Sequence, residues 1–338
     1  MSFHNLSISV LKVGRQLAGS LVVAAFLMPS FIGCIKEELP VQPRQPGDVT
    51  TKSISLSSDY RNQIFFSLQN DSIVAKSVKT DWDLAFDANT EGYKVYLNQA
   101  KFMKAAVTNL DDTEGSNDTT GFEKNSRLDA SNIQDSLAIG DVRDLKKVLW
   151  IDRGYDSNND KLNLVKIQFK GVDGNKYSLK VGRNGSSKSA TFDIPKDKNF
   201  NRVYFSLTTN SVVKVEPPKT EWDFVFTQYV YTFKQPNLPY LVVGALLNPY
   251  NTTAIADSSL SFNNIDRTIA ESFKLTNKPD VIGYNWKEYG FGSSIYRVKT
   301  QYNYIIRDSK GTLYKMRFLD FYDDKGQKGN PKFEFQNL

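Results

Sequence analysis

One block of this sequence occurs twice, and each copy limits what the other can be. Ile64-Phe65-Phe66-Ser67-Leu68 is followed by Lys79-Thr80-Asp81-Trp82-Asp83-Leu84-Ala85-Phe86. Val203-Tyr204-Phe205-Ser206-Leu207 is followed by Lys219-Thr220-Glu221-Trp222-Asp223-Phe224-Val225-Phe226. Both blocks alternate at period two, the mark of a strand with one packed face. On that pattern Trp82, Leu84 and Phe86 share a face, opposite Asp81, Asp83 and Ala85. Trp222, Phe224 and Phe226 repeat it, opposite Glu221, Asp223 and Val225. The two tryptophans are expected to anchor a core, because an indole buries a large area. The flanking acids, Asp83 and Asp223 among them, are expected in solvent or capping turns.

The similarity continues along the chain. Residues 95–98 match 245–248, and Trp150 matches Trp286. Asp173-Gly174-Asn175-Lys176-Tyr177 matches Lys310-Gly311-Thr312-Leu313-Tyr314, each a tight turn between alternating segments. A period of about 140 residues is the size of a domain, too long for a solenoid. Seventeen Tyr and twenty-two Phe favour strands. The expectation is an all-β chain of two related antiparallel lobes with few short helices. The first repeat would span 53–195 and the second 196–338, meeting near residues 194–200; two copies interleaved into one larger sandwich fit the same pattern. Helical spacing occurs at 141–149 (Val142, Leu145, Leu149) and at 264–273 (Ile265, Ile269, Phe273), with Asn263 or Asn264 as a cap. Residues 111–124 are acidic and polar and read as a mobile loop. Asp156-Ser157-Asn158-Asn159-Asp160 starts like a calcium loop, but Lys161 stands where the glycine belongs and Ile167 where the closing acid belongs. A polar turn is the expectation there.

The start of the chain reads as an address. Lys12 and Arg15 precede an apolar run from Leu17 to Ile32, too short to span a membrane and placed as a secretory signal is. The run ends at Phe31-Ile32-Gly33-Cys34, a small residue directly before a cysteine, as in a lipobox. Residues 1–33 would be removed and Cys34 acylated as the first residue of the mature chain. Cys34 is the only cysteine, so no internal disulfide is available and the core must suffice. Lys36-Glu37-Glu38 follows it, similar to the export signal of surface-exposed lipoproteins. Residues 34–52, with Pro40, Pro43 and Pro46, read as an extended tether.

Several function classes are excluded by composition. The one histidine, His4, lies in the signal segment, which removes His-dependent triads and most catalytic zinc sites from the mature chain. No Gly-rich phosphate loop precedes a helix. Cleavage removes Lys12 and Arg15 and lowers the formal net charge from +6 by two, with both signs dispersed. A nucleic-acid partner is not expected. Binding, not catalysis, is the expected role.

The blocks Tyr204-Phe205-Ser206-Leu207 and Trp222-Asp223-Phe224-Val225-Phe226 resemble the signature of the HmuY-like surface lipoproteins. The resemblance extends to Asp308-Ser309-Lys310-Gly311-Thr312 and to Lys332-Phe333-Glu334-Phe335. It spans about residues 54–338 and is best in the second half. It implies an all-β, haem-binding fold, an outer-membrane, surface-exposed location, and a TonB-dependent haem transporter as partner. The mature chain departs from the family where members ligate haem iron with paired histidines. An axial donor must be His, Met, Cys or Tyr, and only Met103 and Met316 remain as methionines after cleavage. Met316 shares a face with Tyr314 and Phe318 and reads as core; Met103 is the candidate haem ligand. Haem or another flat porphyrin held by aromatic faces is the first reading. A haem-independent module for a protein or glycan partner is the second.

The anchor reading predicts that Cys34→Ala moves the protein from membrane to soluble fractions. One acyl chain binds membranes weakly, and stable attachment needs the several chains a lipoprotein carries. Cell fractionation measures this, and retention of the variant in the membrane would refute the anchor.

Overall fold

The computed structural model describes residues 46–133, 135–183 and 188–338. The described residues form one compact unit, nearly all β and antiparallel. The segment read as a signal, Cys34 and most of the segment read as a tether lie outside the described residues; residues 50–52, read as tether, belong instead to an edge strand paired with the C-terminal strand.

Four large sheets stack, with three apolar layers between them. The outermost contains strands Thr50–Ser53, Lys328–Asn337, Leu313–Tyr322, Asn303–Arg307 and Thr253–Asp257, in that order. The next is Asn237–Leu247, Phe224–Lys234, Asn62–Ser67 and Ser72–Val78. The third is Ser211–Val213, Arg202–Ser206, Leu84–Asp87, Lys94–Leu97 and Gly140–Asp141. The fourth is Ser189–Pro195, Lys176–Arg183, Val165–Val172, Leu149–Asp152 and Lys104–Val107. A small hairpin, Lys287–Gly290 with Ile295–Val298, stands apart from these.

The repeated blocks pair across the chain's midpoint. Strand Asn62–Ser67 pairs with Phe224–Lys234, in register Phe66 to Phe224. Strand Arg202–Ser206 pairs with Leu84–Asp87, in register Phe205 to Leu84. The hairpin 62–78 thus completes a sandwich made from the second half, and the hairpin 202–213 completes one made from the first. Period-two alternation explains how each exchanged strand serves two layers. Ile64 and Phe66 enter the core with Phe224, Phe226, Trp286, Met316 and Phe333. Phe205 and Leu207 enter the core with Leu84, Phe86, Ile167 and Leu179. Phe65, Tyr204, Ala85 and partly buried Val225 point the other way, into the layer between the two middle sheets.

The tryptophans depart from the alternation read in the sequence. The strands begin at Leu84 and Phe224, and the chain bends at the aspartates before them. The bend turns Trp82 and Trp222 away from the faces of Leu84 and Phe224 and into the middle layer. Asp83 and Asp223 are not in solvent: both are buried. Residues 141–149 form no helix; Leu149 starts a strand opposite Val107 and Ile167, so the helical spacing there is coincidental. The helix expected at 264–273 runs Arg267–Ser272, and its cap is Asp266, which accepts from the Ile269 N–H at 2.8 Å. The turns at Asp173 and Asp308 follow expectation, each aspartate accepting two N–H groups of its own turn. Asp156 does the same for Asn158 and Asp160, closing a polar turn. Residues 111–124 lead into a short helix, Phe122–Asn125, and tie to the fourth sheet through Asp112 and Lys180. Among the described residues no helix is long and apolar enough to cross a membrane.

Because each sandwich holds a hairpin from the other half, one cooperative transition is expected. Trp82→Ala and Trp222→Ala should each lower it, by about 3–5 kcal/mol for a packed indole. Denaturant unfolding followed by two probes checks this, and two separate transitions, each moved by only one substitution, would contradict it.

Candidate functional site

Each Trp-Asp pair is a clamp between halves. The Asp83 N–H donates to the Phe205 carbonyl at 2.9 Å, and its carboxylate accepts the Leu207 N–H at 2.7 Å. The Asp223 N–H donates to the Phe66 carbonyl at 2.9 Å, and its carboxylate accepts the Leu68 N–H at 2.7 Å. An asparagine locks each clamp from behind. Asn98 Nδ2 donates to the carbonyls of Lys79 and Trp82, both at 2.8 Å. Asn248 Nδ2 donates to those of Lys219 and Trp222, at 2.8 and 2.6 Å. Both locks are buried, where a missing partner is costly.

The clamps differ in charge. Asp83 lies between Lys101 Nζ at 2.5 Å and the Arg153 guanidinium at 3.2 Å, all deep in the protein. Burial lowers the Lys101 ammonium, against the pull of Asp83. Gly154 admits this arrangement: a Cβ there would fall 1.7 Å from the Lys101 carbonyl oxygen, and φ is +67°. No basic side chain forms an ion pair with Asp223 among the described residues. Burial pushes its carboxyl up to about 7, against the Leu68 N–H bond.

The clamped tryptophans wall a cleft between the two middle sheets. Trp82 meets Tyr204 edge-on, ring centroids 4.9 Å apart, and Trp222 meets Phe65 in the same way at 5.0 Å. The cleft has a volume of about 350 Å³ and is also lined by Tyr96, Arg202 and Glu216. Arg202 lies over Tyr96, 4.0 Å from the ring centroid. Glu216 accepts the N–H groups of Asn201 and Arg202 and the Tyr204 hydroxyl. The tryptophans expected as core anchors do pack, and they line this cleft as well. Arg202 and Glu216 were not singled out in the sequence, since a lone arginine and a lone glutamate in strand-rich sequence carry no pattern.

A second aromatic group lies on and beside two hairpins, half-buried at Tyr231, Phe233, Tyr284 and Tyr296 and exposed at Tyr240, Tyr289 and Phe291. On the hairpin 224–247, Tyr231, Phe233 and Tyr240 lie beside Tyr284, with centroids 5.0–6.5 Å apart. On the hairpin 287–298, Tyr289 meets Phe291 at 5.3 Å and Tyr296 at 5.0 Å. Phe291 is 89% exposed and Tyr240 59%. Burial raises the Tyr296 phenol.

Met103 is 1% exposed and packs in the first-half core with Leu97 and Ala105; it lines neither the cleft nor the hairpin array. Met316 is wholly buried in the other core, on the face expected of it. Phe86 and Phe226 fill those two cores. Cys34 lies outside the described residues.

Four stacked antiparallel sheets, two of them clamped by Trp-Asp pairs, define an all-β binding-type scaffold. In the second half of the chain, residues 198–335 match the family model described as HmuY protein. No curated protein matches the chain by sequence. Among solved structures, it is similar to an apo HmuY analog from Tannerella forsythia, at 10% identity over 87% of this chain and 99% of that one, with a TM-score of 0.31. It is also similar to apo PinO from Porphyromonas gingivitis, at 9% identity over 86% and 98%, with a TM-score of 0.29. Overlaps at such TM-scores carry no argument about this chain's ligand.

The contrast between the clamps yields a pH prediction. A carboxyl held near 7 when folded and about 4 when unfolded favours the folded state only while it is protonated. Its contribution is full below about pH 4 and is lost as pH rises through 7. Asp223→Asn should therefore flatten the decline in stability between pH 4 and 8. Chemical denaturation across that range measures it; an unchanged slope would show that Asp223 ionises freely in the fold.

Proposed function

We propose that the chain is a lipid-anchored binding protein of the outer membrane surface that takes up haem or a related flat porphyrin and passes it to a TonB-dependent transporter. It acts by binding and carries out no chemistry. The observation that carries this reading is the partly exposed aromatic array on the two hairpins, in a chain whose second half is HmuY-like. Exposed rings this large and this close are what a flat apolar ligand needs. Lys234 and Arg297, both exposed on the same hairpins, supply charge for propionates.

The residues present fit a porphyrin held by its faces better than one held by its iron. Both methionines outside the signal are buried in cores, and the mature chain has no histidine. The phenols that could replace them are pushed up by burial, as at Tyr284 and Tyr296, which disfavours a tyrosinate donor. Phe291 and Tyr240 would stack on the ring, and Tyr231, Phe233 and Tyr284 would support them.

A visible absorption titration with ferric and ferrous haem tests this. The expected result is a shifted but broad Soret band, weakened in Phe291→Ala/Tyr240→Ala and unchanged in Met103→Ala. A sharp low-spin band lost in Met103→Ala would make Met103 an axial ligand and overturn the face-held mode. No spectral change in either oxidation state would favour a haem-independent module for a protein or glycan.

A further inference from the structure

The cleft between the middle sheets is separate from the hairpin array, and its chemistry is different. Its walls are aromatic: Phe65 and Trp222 from one clamp, Trp82 and Tyr204 from the other. Its volume, about 350 Å³, lies near the lower end of small-molecule sites, about 300–1,000 Å³.

The polar side chains lining it are mostly committed to the protein. Gln63 donates to Ser77, Gln99 accepts from Ser131 and Val230, and Gln228 accepts from Lys79. Asn98 holds its clamp, and Glu216 accepts three donors. Arg202 differs. Its guanidinium is half-buried over Tyr96 and hydrogen-bonds that phenol, but no carboxylate lies within ion-pair distance of it among the described residues. Glu216 and Asp87 act on it only at longer range. Burial holds the Glu216 carboxyl up to about 7, against the pull of Arg202 and of its three donors. A guanidinium fixed on an aromatic ring, with its donor fork free of protein carboxylates, is a carboxylate receptor.

We propose that this cleft is a second binding site, for a small planar monocarboxylate whose ring lies among Phe65, Trp82, Tyr204 and Trp222 and whose carboxylate pairs with Arg202. The ring displaces water from the aromatic walls, and the charge fixes its orientation. The clamps supply rigid walls, because each tryptophan is held by buried hydrogen bonds on both sides of its peptide. The site does not depend on haem binding at the hairpins.

Calorimetric titration of the full chain with 2-naphthoate, and with neutral 2-naphthamide of the same shape, tests it. The naphthoate should bind at least about tenfold more tightly than the amide. Arg202→Gln should weaken naphthoate by at least about tenfold and leave the amide unchanged. Ala100 also lines the cleft, and Ala100→Trp should abolish both by filling it. Saturating haem should not displace naphthoate. Absence of naphthoate binding at millimolar concentration would overturn the proposal, as would equal affinity for the amide. If Arg202→Gln fails to fold, Ala100→Trp decides: undiminished binding there places the ligand elsewhere.

Discussion

The structure depends on a carboxylate that crosses the chain's midpoint. Asp83 and Asp223 each take a backbone N–H from a strand more than a hundred residues away and return an N–H to that strand's carbonyl. A buried carboxylate that accepts a backbone donor is a strong, directional bond. It sets where each strand starts, and the position of each tryptophan follows from it. The serine-leucine ending of one block and the tryptophan-aspartate start of the other are thus two sides of one contact. The repeat preserves the contact as a unit, not two independent strands.

The middle layer is where the clamps meet, and its openness follows from their geometry. The two outer cores are filled by close-packed aliphatic and aromatic side chains. The middle layer is built from a few large rings crossing edge to face, which hold sheets apart without filling the space between them. The charge difference between the clamps lies behind these rings. One aspartate has two cations at hand; the other has a backbone amide and the burial of its surroundings.

Much of the local structure was legible in the sequence. The alternation of Ile64-Phe65-Phe66 and Val203-Tyr204-Phe205 marks strands, and the Asp-Gly turn at 173–174 and the Asp-Ser-Lys-Gly turn at 308–311 fall where their side-chain hydrogen bonds place them. The exchange of hairpins was not legible. The two blocks are so alike that Phe205 satisfies the partner position of Leu84 as well as Phe66 would, and pairing within or across copies presents the same pattern. Nor was the bend at the aspartates, since a residue just ahead of a strand obeys the contacts of its backbone and not the strand's period. Asp83 and Asp223 look like surface charges in a sequence because the donors that bury them lie in the distant block. The cleft was hidden for the same reason: Trp82 and Tyr204 belong to different halves, and only the exchange brings them together.

The exchanged hairpins also govern the order in which the molecule can be assembled. A chain made from its N-terminus presents strand Leu84–Asp87 long before its neighbour Arg202–Ser206 exists, and strand Asn62–Ser67 waits longer still for Phe224–Lys234. Neither sandwich can close its sheet until most of the chain has emerged from the ribosome. Sheets completed by distant strands close slowly, and unfinished edges are open to other chains meanwhile. The first half, however well its own core packs, is therefore an incomplete domain: cut near residue 196, it would keep its fourth sheet and lose the two strands at one edge of the third.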